Sequence, residues 1–126
     1  MKFSFYGSSI SNTIPSHTIN LQQCHYYITS ENARNATTGL RKLTYRDDAK
    51  RFKDTSFNYV TFSGVFSERR NDKLKEYSNL VCIDIDHVNN PAQVKQELIN
   101  LAALPPVLAF ISPSGSGVKT VYKAPS

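Results

Sequence analysis

Leu80-Val81-Cys82-Ile83-Asp84-Ile85-Asp86-His87 reads as a buried β-strand that turns acidic at its C-terminal end. Side chains alternate across a strand. Val81, Ile83 and Ile85 therefore point one way, and Cys82, Asp84 and Asp86 the other. Two carboxylates two residues apart share a face, and burying two like charges is costly unless something neutralises them. A hard divalent cation, Mg²⁺ or Mn²⁺, is the usual neutraliser for paired carboxylate oxygens. A strand that simply ends in water at Asp84 is the competing reading, and the octapeptide alone leaves both open.

Downstream, Asn90 is an N-cap, Pro91 suits the first helical position, and Gln93 stands where a capping box places Glu or Gln. Val94, Leu98, Leu101 and Ala102 follow at helical spacing, and Pro105-Pro106 ends the helix near Ala103. Val107–Ile111 is a continuous apolar run. Residues 80–112 therefore predict a βαβ unit with adjacent parallel strands and a right-handed crossover. A Gly/Ser loop, Ser112-Pro113-Ser114-Gly115-Ser116-Gly117, leads to a further strand, Val118–Tyr122, as a hairpin.

Parallel strands end on the same side of a sheet, so Asp84 and Asp86 are expected beside the loop. Successive backbone N–H groups of Ser114, Gly115, Ser116 and Gly117 can face an anion, and Lys119 adds a positive charge. Acids for a metal beside amides and an ammonium for phosphate suit a metal–nucleoside triphosphate. A plain hairpin turn would use the same Gly and Ser residues. A P-loop is excluded because Val118, not Gly, precedes Lys119-Thr120. A Rossmann fingerprint fails because no helix opens on the loop.

The earlier residues predict a mixed α/β (α+β) fold whose single sheet holds strands near 59–66, 80–86, 107–112 and 118–123. Lys2–Tyr6 alternates and reads as a short strand, placed at an edge. Residues 7–18 read as loop. Asn20 caps a helix carrying Leu21, Cys24 and Ile28, with His25 packed. Ala33–Leu43 suggests a second helix, and Asp47 or Asp48 caps a third. Phe57–Phe66 is β-rich, with Gly64 marking a bulge or a close backbone approach. Residues 67–77 read as a charged connector with a helical turn.

The chain has 126 residues, 40% hydrophobic, with seven Phe and seven Tyr, which suits one domain with a real core. Its net charge of +5 permits anionic partners. The charge is concentrated: residues 34–75 hold eleven Lys and Arg against five acids, a net +6, leaving −1 for the rest. Arg41, Lys42, Lys50, Arg51 and Lys53, interleaved with Tyr45 and Phe52, could track a nucleic-acid backbone. An ordinary solvated helix face explains the same residues. Cys24 and Cys82 are the only two cysteines, which favours a reduced, cytoplasmic setting. No zinc spacing, signal peptide or membrane span is present in the sequence.

Two motifs together, Leu80–His87 and Phe110-Ile-Ser-Pro-Ser-Gly-Ser-Gly-Val-Lys119, resemble a known family. This is the N-terminal domain ahead of VirE-type primase/helicase proteins of Bacteroidetes and their mobile elements. That domain is similar to archaeo-eukaryotic primase–polymerases. Thr61–Ser67 adds to the resemblance, which spans roughly Arg41 to Tyr122. It implies metal-assisted nucleotidyl transfer in DNA replication, with Asp84 and Asp86 on two metals and Ser114 to Lys119 on the incoming triphosphate. Single-stranded DNA or primer-template is the implied partner, with a helicase domain in a longer protein. Lys119 stands where the primase pattern has His. The acid that primases carry on a later strand has no counterpart before Ser126, so the resemblance implies a fold incomplete at its C-terminus. A non-catalytic nucleotide- or nucleic-acid-binding module of the same fold is the alternative.

Overall fold

The computed structural model describes residues 1–125 as an α+β fold of eight short strands and four helices. The strands are β1 (Phe3–Tyr6), β2 (His17–Ile19), β3 (Tyr59–Thr61), β4 (Gly64–Phe66), β5 (Leu74–Tyr77), β6 (Leu80–Ile85), β7 (Leu108–Ile111) and β8 (Val118–Lys123). The helices are α1 (Leu21–Ile28), α2 (Glu31–Arg41), α3 (Arg46–Ser56) and α4 (Pro91–Ile99). Three antiparallel sheets replace the single sheet expected: β2-β1-β3, β4-β5 and β6-β8-β7.

The first strand is central rather than an edge. β2, hidden in what reads as loop, pairs on one side of it and β3 on the other, and all four of its residues are buried. Ser4 is buried among them because its hydroxyl accepts from the Phe66 amide at 2.9 Å, tying β1 to β4. The β-rich stretch 57–66 breaks at a Phe62-Ser63 turn into β3 and β4, which join different sheets. Gly64 makes the close approach expected: a Cβ there would lie 2.1 Å from the Glu76 carbonyl oxygen. The charged connector contains the expected helical turn, Asn71–Lys73, but also β5.

Helix α1 begins as its sequence dictates. Asn20 accepts from the Gln23 amide and the Gln23 side chain accepts from the Asn20 amide, both at 2.9 Å. Cys24 faces the core, whereas His25 is exposed rather than packed. Ser30 caps α2. Tyr45 stands at the cap position of α3 without a side-chain bond, so Asp47 and Asp48 lie in its first turn, where carboxylates are favoured by the helix dipole, rather than at the cap. Asn90 caps α4 with Pro91 at its start, and the helix stops at Ile99, short of Ala103. The Asn100 amide closes it on Gln96 at 3.1 Å.

The third sheet corrects the βαβ reading. β6 and β7 run in the same direction but are not neighbours, because β8 lies between them and pairs antiparallel with both. β6 is therefore an edge strand. Val81 and Ile83 are nearly half exposed, and Cys82, Asp84 and Asp86 are exposed as well, so the octapeptide is not the buried strand its composition suggests. The buried strand is β8, where Val118, Thr120 and Val121 are each at most 1% exposed. Leu80 and Val121 share one face and join Phe3, Phe5, Ile19 and Cys24 in the core between the first and third sheets.

Candidate functional site

Antiparallel pairing brings together what parallel adjacency was expected to bring. β6 and β7 both end, and β8 begins, at the same end of the third sheet. Asp84 lies directly opposite Lys119, and Lys119 opposite Phe110, so the three share a face. The Lys119 Nζ donates to Asp84 Oδ1 at 2.6 Å. The neutraliser of this acid is thus an ammonium of the protein itself. With the Asp84 side chain half exposed and that of Lys119 one-third exposed, the pair is worth about 1 kcal/mol or less.

Asp86 follows the last residue of β6 and lies against the loop. A Cβ on Gly117 would come within 3.2 Å of Asp86 Oδ1, 3.2 Å of Ser112 Oγ and 2.9 Å of the Ile85 carbonyl oxygen. Gly117 is buried at this crossing, and only a hydrogen in place of a side chain lets the loop pass so close to the end of β6. His87 turns the chain away at φ 57°, with its side chain exposed.

The loop is built from its own polar groups. The Ser112 amide donates to the Gly117 carbonyl at 2.9 Å, and the Gly117 amide to Ser112 Oγ at 3.0 Å. The Gly115 amide donates to the Ser112 carbonyl at 2.9 Å, and Gly115 takes the left-handed φ of 83° that favours glycine. The Val88 amide donates to the Ser116 carbonyl at 2.8 Å, tying the loop to the exit from β6. The hydroxyls of Ser112, Ser114 and Ser116 follow one another at 3.2 and 3.1 Å. Ser114 and Ser116 are exposed, and their amides have no partner among the described residues. This is a short row of donors open to solvent beside two carboxylates and an ammonium.

The sequence-predicted basic residues separate into two places. Lys42, Lys50, Arg51 and Lys53 are exposed at the end of α2 and along α3, with Lys50 paired to Asp54 at 2.9 Å. An open cavity of about 290 Å³ beside them is lined by Leu43, Asp48, Arg51, Phe52 and Thr55. Arg41 belongs elsewhere: its guanidinium reaches the Pro113 and Ser112 carbonyls of the loop. Among the described residues no cluster of three or more His, Cys, Asp or Glu could hold a metal ion. No described helix is long and apolar enough to cross a membrane.

Ser112 is the site residue that sequence reasoning passed over. It is buried, and its hydroxyl and carbonyl organise the loop. The cue available was its place at the end of an apolar strand, where a Ser is expected to bond local backbone.

The family model described as "BT4734-like, N-terminal domain" matches residues 51–126, which include both acids, the whole loop and Lys119. No curated protein and no solved structure matches the chain.

Proposed function

The chain belongs to the BT4734-like, N-terminal domain family, and we propose that it acts as a primase–polymerase-like domain of a mobile element's DNA replication. It binds a metal–nucleoside triphosphate at the corner formed by Asp84, Asp86 and the Ser114–Lys119 segment. Single-stranded DNA or primer-template runs along the basic α2–α3 surface, and a helicase domain is the partner in a longer protein. The observation that carries this reading is the register that sets Asp84 against Lys119 while the loop closes on Asp86.

The donor set suits Mg²⁺ or Mn²⁺, since both acids offer hard oxygens and are exposed enough to be reached. Two carboxylates leave most of an octahedral shell to water and phosphate oxygens, so metal and triphosphate should bind together. When bound, the ion supplies Lewis-acid polarisation of a phosphoryl oxygen. The chain's own residues do the rest: Lys119 carries positive charge to the phosphates, and the Ser114 and Ser116 amides and hydroxyls orient them. That no third acid joins the pair among the described residues favours a second reading, a binding module of the same fold without nucleotidyl transfer.

Thermal melting with Mn²⁺, ATP or both tests the site. A ligand at ten times its Kd stabilises by about 1.4 kcal/mol, or roughly 3–7 °C in a domain of this size. Both together should shift the curve more than either alone, and Asp84→Asn with Asp86→Asn should remove the metal-dependent part. No shift at millimolar Mn²⁺ and ATP leaves a solvated strand end. Primer synthesis on a single-stranded template separates the catalytic reading from the binding module.

A further inference from the structure

The last residue of α2 holds the loop by its carbonyls. Arg41 Nε donates to the Pro113 carbonyl at 3.2 Å and Nη2 to the Ser112 carbonyl at 3.3 Å. The same guanidinium lines the space that a side chain on Gly115 would need, with Nε 3.2 Å from the position of its Cβ. These bonds join parts of the chain 71 and 72 residues apart. Arg41 also falls outside the segment that the family model matches, which begins at residue 51.

Its chemistry is directional. Guanidinium is a rigid fork with donors and no acceptor, suited to carbonyl oxygens set side by side. By taking the Ser112 and Pro113 carbonyls it covers acceptor groups that would repel an anion. Pro113 has no N–H, and the unpartnered amides of Ser114 and Ser116 remain as the donor side. Its positive charge is spent on the loop's carbonyls rather than on its donors.

We propose that Arg41 is a positioning residue for the polyphosphate chain of the nucleotide, and not part of the nucleic-acid surface where its charge alone would put it. This rests on the reading of the Ser/Gly loop as the triphosphate site. The recognised chemistry is a run of phosphoryl groups, so inorganic tripolyphosphate is a sufficient probe, and neither base nor sugar is required.

The experiment is calorimetric titration of the full chain with tripolyphosphate in the presence of Mn²⁺, using wild type, Arg41→Ala, Arg41→Lys and Lys75→Ala. Lys75 is exposed on β5, which pairs only with β4, and its removal controls for net charge. Arg41→Ala should weaken binding about 3- to 10-fold, because the ligand would then have to order the loop that Arg41 already holds in the free chain. Arg41→Lys keeps the charge without the fork and should recover only part. Lys75→Ala should stay within about 2-fold, since an exposed charge on a strand outside the third sheet is screened. Amide exchange at Gly115 and Gly117, whose N–H groups bond Ser112, should quicken in Arg41→Ala, while that of β8 does not. Wild-type affinity in Arg41→Ala, with binding intact in the unmutated chain, overturns the role of Arg41 and leaves the loop reading standing. No tripolyphosphate binding by wild type removes the loop reading itself. Should Arg41→Ala fail to fold, Arg41→Lys decides, and wild-type affinity there refutes the need for the fork.

Discussion

Replacing Lys119 by Met should move metal affinity and triphosphate affinity in opposite directions. In the free protein Nζ occupies Asp84 Oδ1 at 2.6 Å. A cation that takes this oxygen must first displace the ammonium. Side-chain exposures of 33% and 51% place the pair near the surface, so its loss costs about 0.4–1 kcal/mol. Lys119→Met removes that competitor and also leaves Asp84 without its compensating charge near Asp86. Mn²⁺ alone should therefore bind about 2- to 5-fold more tightly, given that 1.4 kcal/mol is a factor of ten. With triphosphate present the sign reverses. The ammonium is then free to meet a phosphate oxygen, a charge-assisted bond worth about 1.5–3 kcal/mol, and its absence should weaken the ternary complex 10-fold or more. Met keeps the length and apolar stem of Lys on the sheet face that it shares with Phe110. Free Mn²⁺ measured by electron paramagnetic resonance, with and without ATP, reads both constants. If Lys119→Met weakens binding of Mn²⁺ alone, Lys119 is no competitor for Asp84, and if it strengthens binding in the presence of ATP, Lys119 is no phosphate ligand.

Gly64→Ala should lower stability by about 3 kcal/mol or more and the melting temperature by roughly 10 °C, because its Cβ would sit 2.1 Å from a backbone oxygen that the β4–β5 pairing holds in place. Circular dichroism melting reads this, and a loss under about 1 kcal/mol would mean that the two strands part easily. Single-stranded DNA affinity measured from about 50 to 200 mM salt should fall steeply, and Lys50→Ala, Arg51→Ala and Lys53→Ala combined should flatten the log–log slope by about 2, close to 0.7 for each phosphate no longer neutralised; an unchanged slope places the nucleic acid elsewhere. Burial raises the Cys24 thiol from 9.0 to about 11, and the nearby Cys82 adds to the rise. The folded state then keeps a proton that the unfolded chain loses, so stability is fully present below pH 9 and declines toward pH 11, by up to about 2–3 kcal/mol. Urea titrations across that range should show the decline in wild type and lose most of it in Cys24→Ala, and a flat profile would argue that Cys24 is accessible in the native state.

Local signals were legible at two helix starts and two glycine-bearing turns, though not at the start of α3, where Tyr45 rather than Asp47 or Asp48 stands at the cap. Asn20 with Gln23, and Asn90 with Pro91, start helices because capping partners lie within three residues and need nothing from the rest of the chain. Gly64 announced a close approach, and the Gly/Ser loop announced a hairpin turn, because glycine tolerates crowded and left-handed backbone that other residues do not. Asp84, Asp86, the loop and Lys119 could be placed at one end of a sheet from directionality alone. Strand neighbours were not legible. Whether β8 lies outside β7 or between β6 and β7 depends on which apolar faces find cover, and Val121 at 0% exposed against Val81 at 47% shows which strand won the centre. An apolar octapeptide therefore became an edge, while β2 and β5, three and four residues long with polar sequences, formed only because partners were waiting. The ion pair between Lys119 and Asp84 and the reach of Arg41 to the loop are likewise products of tertiary pairing, since partners 35 and 72 residues apart leave no periodic trace in the sequence. Composition and spacing determined which groups this protein carries to one end of a sheet; packing determined which of them touch.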